Sequence, residues 1–318
     1  MSELDLRTGT RSAAHITDIV RLDTRTRTLS VGEHQRTAPD TPESTAELTA
    51  WLYAVTHTGN PDVFSPDSVL ADPVFEEDIR SRLPDPGLLV PVREVGEATD
   101  GSALAELHRV RLRLTGDQLV RDGDDTRVRV SCLRPNLTPG FFMYLHETGA
   151  GARPGDRVTR YYLGGADPDS TLDLWARGVD RLVTAGAGFR TKILSRRAAY
   201  PRNDAAVYYV LGDTSLFEEV MTDLLAGEET AAHASPLCAP HPSGLYTAHE
   251  PVDPRPGQQQ RSYGEHRCAA IAEAVIRAVR DGVGFQEALV ESFTAANIDS
   301  GDVARNHDGV PTPQGAPA

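Results

Sequence analysis

Apolar and polar positions change their period along the chain, and each change marks an element. Over residues 44–57, Leu48, Trp51, Leu52 and Val55 recur at helical spacing. Ser44-Thr45-Ala46-Glu47 fits a capping box before them, and Gly59 ends the run. A second helix is expected over residues 73–83, opened by Pro73, with Val74, Ile79 and Leu83 on one side. Residues 1–40 are polar and threonine-rich, suited to a partly ordered arm or an early helix. Residues 1–105 are therefore expected to form a mostly helical N-terminal region.

Near His108 the period drops to two. Val110, Leu112 and Leu114 alternate with Arg109, Arg111 and Arg113, and Val128, Val130 and Cys132 alternate after an Asp/Gly turn. Phe141-Phe142-Met143-Tyr144-Leu145-His146 is a strongly apolar strand ending on a histidine, and Val158-Thr159-Arg160-Tyr161-Tyr162-Leu163 is another strand after a Gly/Pro-rich loop. Phe189 to Leu194 alternates, with Arg190, Lys192 and Leu194 on one face. Tyr200-Pro201-Arg202-Asn203-Asp204 is a turn before the apolar strand 206–211.

Helical periodicity returns in four places. Leu172, Trp175, Val179, Leu182 and Val183 form a stripe behind a Ser170 cap, ended by Gly186. Phe217, Val220, Met221, Leu224 and Leu225 form the next. After a proline-rich segment over residues 226–260, Ala270, Ile271, Ala274, Val275 and Ala278 follow Ser262-Tyr263-Gly264-Glu265, and a last helix covers residues 285–297. Strands in the middle with helices toward both ends predict an α+β fold with a mainly antiparallel or mixed central sheet. Residues 106–304 are expected to form one α+β unit, and 305–318, rich in Pro and Gly, a disordered tail.

Composition narrows the function. No apolar run approaches the ~20 residues of a membrane span, and the N-terminus lacks a signal-peptide pattern, so a cytoplasmic protein is expected. Cys132, Cys238 and Cys268 are widely spaced and odd in number, so neither disulfides nor structural zinc are expected. The net charge of −14 argues against nucleic acid. Between Arg153 and Arg202, however, ten basic residues face five acidic ones. A local cationic patch on an acidic chain suits a small anionic group.

Within that patch lies the one lysine of the chain. Of 32 basic residues, 31 are arginines and one is Lys192. A codon bias toward arginine explains the arginines but not the exception. Arginine stays protonated, whereas a lysine in a desolvated, cationic setting can give up its proton and act as a base. The plainer reading is a surface lysine of no consequence.

Five blocks then occur in order: GFFMYLHE, VTRYYL, GFRTKILSRRAAYPRNDAAVYY, GLYTAHEP and SYGEHRCAAIAEA. Together they resemble the HopA-type effector-like family, named after a bacterial type III effector, over about residues 105–300. Its actinobacterial members resemble the lyase component of class V lanthipeptide and thioamitide pathways. The resemblance implies elimination of phosphate from phosphoserine or phosphothreonine in a ribosomal precursor peptide, giving dehydroalanine or dehydrobutyrine. It implies two partners besides the phosphorylated peptide: a kinase-like protein that installs the phosphate, and a cyclase that adds cysteine thiols. The family pattern falls on Arg160, Lys192, Tyr200, Arg202, Asp204, Glu250, Pro251, Ser262, Gly264 and Arg267.

Under that resemblance Lys192 is the base and His146 or His266 protonates the leaving oxygen. Arg160, Arg202 and Arg267 grip the phosphate, with Tyr162, Tyr200, Asp204 and Glu250 in support. No metal or organic cofactor is needed. Each role has a plainer counterpart: Arg202 as a salt-bridge partner of Asp204, Arg160 as one of Glu250, His146 at a strand end satisfying a loop carbonyl, and Tyr162 as sheet packing. Two other function classes stand beside the lyase: a non-catalytic peptide- or partner-binding module, and a hydrolase using His249 and Glu250.

Overall fold

A computed structural model describes residues 11–65, 72–107, 109–115, 118–123, 125–146, 157–228 and 234–307. Helix α1 (Ala13–Ile19) is capped by Ser12, whose hydroxyl accepts from the backbone of His15. It leads into an antiparallel meander of β1 (Val20–Asp23), β2 (Thr28–Val31) and β3 (His34–Thr37). Helix α2 (Thr45–Leu52) continues as a π-helical turn, Tyr53–Thr58, and stops at Gly59, whose φ of 66° is the left-handed geometry of a glycine cap. The capping box expected at Ser44 does not form. A 3₁₀ turn over Pro42–Ser44 leads in, and Ser44 is already helical with no side-chain cap bond. Helix α3 (Pro73–Ser81) follows, capped by Asp72.

Six short strands come next: β4 (Leu88–Pro91), β5 (Arg93–Glu97), β6 (Ala103–Leu107), β7 (Val110–Leu114), β8 (Leu119–Asp122) and β9 (Asp125–Val130). They form two small sheets, β4-β9-β8 and β5-β6-β7, around Ala105, Leu114, Leu119 and Val128. The first hundred residues thus mix helix and strand rather than being mostly helical. The meander strands are four residues each, too short for their alternation to stand out against a polar background.

The main sheet contains β10 (Leu133–Thr138), β11 (Phe141–His146), β12 (Val158–Gly165), β13 (Phe189–Leu194), β14 (Arg202–Leu211), β15 (Ala239–Pro240) and β16 (Tyr246–His249). Their order is β10-β11-β13-β14-β12-β16-β15, and every pair is antiparallel. The fold is α+β, as the pattern predicts. The proline-rich segment is not simply a loop: its described part supplies β16, which pairs with β12, and the edge strand β15 beyond it.

Alternation along β13 and β14 decides what each face of this sheet meets. Phe142, Tyr144, Phe189, Ile193 and Tyr208 pack under α4 (Pro168–Thr184) and α5 (Ser215–Leu225) through Leu172, Trp175, Phe217 and Met221. The Trp175 indole donates to Thr191 Oγ1 at 2.8 Å, fixing α4 to the central strand. Helix α4 is capped by Asp167 rather than Ser170: the Asp167 carboxylate accepts from the Ser170 backbone, and Pro168 opens the helix three residues earlier than expected. On the opposite face Tyr162, Val207 and Ala248 meet α2 and α6 (Tyr263–Asp281). Helix α6 carries a full capping box, Ser262 with Glu265, and packs against α7 (Phe285–Ala295).

Residues 305–307 are part of this packing and not of a tail. Asn306 bridges to Ile298, accepts from Arg267 at 3.1 Å and donates to the Glu250 carbonyl at 2.7 Å. The rest of the expected tail, 308–318, lies outside the described residues.

Candidate functional site

Lys192 stands at the centre of β13, opposite Met143 of β11 and Val207 of β14. Its neighbours in sequence, Thr191 and Ile193, are buried on the α4 side, so period-two alternation sends the lysine to the other face. There its Nζ lies 3.9 Å from the centroid of the Phe141 ring. Among the described residues it makes no ion pair. The same ring lies 5.4 Å from the Arg202 guanidinium carbon, so Phe141 sits within cation–π range of both cations.

Arg202 opens β14 directly after the cis Tyr200–Pro201 peptide. Its Nε and Nη2 donate to the two carboxylate oxygens of Asp204, each at 2.8 Å. Both side chains are nearly sealed from water, at 8% and 5% exposure, so the pair is a buried ion pair and not a surface contact. Burial pushes the Asp204 carboxyl up, but the Arg202 charge outweighs it and holds the group down at about 2. The Nη1 edge of Arg202 takes no part in these bonds.

A side chain from the N-terminal region completes the cluster. His57, in the π-helical turn after α2, places Nε2 3.9 Å from Asp204 Oδ2 and Nδ1 3.1 Å from Ser235 Oγ. Its ring lies among Tyr53, Tyr162 and Tyr263, with centroids 5.3, 5.6 and 5.8 Å away. Burial depresses its pKa to about 4 against the pull of Asp204; Arg202, Arg160 and Lys192 push the same way as burial. At neutral pH His57 is therefore an uncharged imidazole beside a charged pair. Asn203 donates to the Thr56 carbonyl and Asn60 to the Ala199 carbonyl, each at 3.4 Å, which tie this turn to the start of β14.

The other residues singled out from the sequence separate into groups. Arg160 is on the Lys192 face of β12, paired across the strands with Tyr209 and Ala248. Its Nε and Nη2 are held by Glu250 at 2.5 and 2.6 Å. Tyr162 points the same way, and its buried hydroxyl has no hydrogen-bond partner among the described residues; burial raises its pKa. Tyr200 is half-buried beside Phe75, its hydroxyl likewise without a hydrogen-bond partner among the described residues.

His146 and His266 are not brought to Lys192. His146 lies on the α4 face at the end of β11, where its Nδ1 meets the Ala187 carbonyl at 2.8 Å and its ring packs on Phe189. This is the strand-end role that its position suggests. His266 is fully buried in α6 between Asp253 at 3.1 Å and Arg267 at 2.7 Å. Burial, reinforced by Arg267, depresses its pKa to about 3. Arg267 is equally committed: it donates to the carbonyls of Val303 and Arg305 and to Asn306, clasping the chain after α7. In each case the carbonyl and carboxylate partners come from distant segments, which no local pattern displays.

Sequence reasoning took His57 and Tyr53 only as part of a helix end. The available signal was weak: a histidine between two threonines in the last turn before a helix-ending glycine. Among the described residues no group of three His, Cys, Asp or Glu side chains is placed to hold a metal ion. Among the described residues no helix is long and apolar enough to cross a membrane.

A family model described as the HopA1 effector protein family matches residues 132–305. Among solved structures, the effector protein from Pseudomonas syringae pv. syringae strain 61 is similar at 14% identity and a TM-score of 0.41. The match covers 84% of this chain and 99% of that one. No curated protein matches.

Proposed function

The chain belongs to the HopA1 effector protein family, and we propose that it is a lyase that eliminates phosphate from phosphoserine or phosphothreonine in a ribosomal precursor peptide. One observation carries this reading. Lys192 presents an amine with no carboxylate partner among the described residues, on a sheet face shared with Arg202 and Arg160. Both arginines hold their acids through Nε and Nη2, which leaves Nη1 of each outside those bonds.

The chemistry follows from that arrangement. Lys192 takes the proton from Cα of the phosphorylated residue. The electron pair forms the Cα–Cβ double bond, and the Cβ–O bond breaks. The bridging oxygen leaves with the phosphate, whose charge the nearby guanidinium groups offset. The products are dehydroalanine or dehydrobutyrine and inorganic phosphate. No metal or organic cofactor takes part in this scheme. His57, neutral and set against Asp204, keeps the Arg202–Asp204 pair in place rather than adding a charge of its own. A peptide substrate phosphorylated by a separate kinase-like protein, a cyclase acting on the product and a cytoplasmic setting belong to the same reading.

Incubation with a kinase-treated Ser/Thr-containing precursor tests it. Mass spectrometry is expected to show a loss of ~98 Da per phosphorylated site, the mass of phosphoric acid, with free phosphate appearing in step, as base-catalysed elimination requires. Phosphopeptide recovered with a hydroxyl in place of phosphate makes the protein a phosphatase. Peptide bound but unchanged makes it a binding module.

A further inference from the structure

Two arginines follow one another after β13, and their environments are the reverse of what their exposure would suggest. Arg197 is exposed, yet it pairs with Asp169 at 2.6 Å and Asp78 at 3.4 Å and lies over the Phe75 ring. Arg196 is buried, at 8% exposure, yet Nη1 has no hydrogen-bond partner and the side chain makes no ion pair among the described residues. A guanidinium taken out of water is ordinarily matched by a carboxylate or by carbonyls, because burying an unmatched charge is unfavourable. Arg160, Arg202 and Arg267 all obey that rule in this structure.

The backbone aligns this exception with Lys192. Ser195 continues the ladder by donating to the Gly140 carbonyl at 3.0 Å, and Arg196 is still extended at φ −140° and ψ 133°. Lys192, Leu194 and Arg196 thus follow one another at every second position of an extended chain. Four residues of strand separate the Cα atoms of Lys192 and Arg196 by about 13 Å. Two long side chains leaning toward each other over that distance can bracket one phosphorylated residue, the amine at its α-carbon and the guanidinium at its phosphate.

We propose that Arg196 is a phosphate-binding residue of this site, its unpaired guanidinium reserved for the phosphate monoester of a phosphorylated serine or threonine in the peptide. The assignment rests on the lyase reading for its substrate, but not for its geometry. It supplies a guanidinium committed to no other group, beside Arg160 and Arg202, which offset phosphate charge while each also holds an acid.

The full chain is compared with Arg196→Met and Arg196→Lys. Three quantities are read: thermal midpoint in phosphate-free buffer, affinity for a kinase-treated phosphopeptide and its unphosphorylated form, and single-turnover phosphate release. Arg196→Met is expected to unfold at or above the wild-type temperature, because an unmatched buried charge has been removed. It is expected to bind phosphopeptide ~10-fold or more weakly, the scale of a lost charge-assisted hydrogen bond, with the unphosphorylated peptide unaffected. Arg196→Lys retains part of the affinity. A methionine variant that fails to fold, or one that binds phosphopeptide as wild type does, overturns the proposal. Wild type that discriminates phosphopeptide through Arg196 but releases no phosphate removes the lyase reading and leaves Arg196 in place. Normal release together with normal phosphopeptide affinity in Arg196→Met does the opposite.

Discussion

Gly264, at the start of α6, leaves no room for a side chain: a Cβ there would collide with the His57 ring and lie 2.7 Å from Tyr53 Cε2. The glycine is helical and has no special backbone angle, so close approach alone requires it. Alanine would favour the helix by about 1 kcal/mol through propensity, whereas forcing two buried rings aside opposes folding by about 1–3 kcal/mol. Gly264→Ala is therefore expected to be destabilising overall, read as a lower denaturant midpoint. It should also reduce phosphate release, because the displaced rings bear on Asp204.

Lys192→Arg preserves charge and approximate size. A lysine serving only as a cation tolerates it, but a base does not, because a guanidinium keeps its proton at working pH. The variant is expected to fold and to bind phosphopeptide, with single-turnover phosphate release reduced by ~10² or more. Near-normal release by this variant would sink the assignment of Lys192 as base.

Arg202 and Asp204 should be tested as a pair. Arg202→Ala leaves a buried carboxylate without its partner and is expected to lower stability by roughly 3–5 kcal/mol. Replacing both, as Arg202→Met with Asp204→Leu, removes the unmatched charge and should recover most of that loss in equilibrium denaturation, while leaving turnover abolished. A double variant no more stable than Arg202→Ala would show that the pair also organises its surroundings.

Acid sensitivity follows from His57. Its folded pKa, about 4, is below the ordinary 6.5, so the unfolded chain binds the proton first as pH falls. The stability tied to a neutral His57 is complete above pH 6.5 and declines as pH drops to about 4, a total of roughly 3 kcal/mol. His266, also depressed, acts with the same sign. Asp204, held at about 2 from an ordinary 3.8, adds a further loss below pH 4. Stability measured from pH 7 to pH 4 is expected to slope less steeply in His57→Asn than in wild type, without becoming flat. Equal slopes would mean that His57 is not buried as a neutral ring.

Local periodicity made the main sheet readable. The strands around Phe141, Tyr161, Ile193 and Tyr208 are long, apolar and regular, and Lys192 falls on the face its alternation predicts. The short strands of the first meander were not legible in the same way because four residues show too little alternation, and the Asp167 cap rests on a single side-chain contact. The site was legible only in part. Lys192 was conspicuous as the single lysine, and the Arg202–Asp204 pair is two residues apart in sequence. The fixed state of Arg267 depends on carbonyls 36 and 38 residues away, and the His57–Asp204 approach spans the N-terminal region and β14. Sequence spacing carries no trace of such contacts, and a histidine on the wrong side of a strand looks the same as one on the right side.

The family match begins at residue 132, yet Tyr53 and His57 come from well before it. The notch at Gly264 and the rings that fill it thus belong to different stretches of the gene. Recombination between relatives at that boundary would join a notch to foreign rings. Such hybrids would be expected to keep the sheet and the lysine and still lose the buried support beneath Asp204, unless both halves of the fit were inherited together.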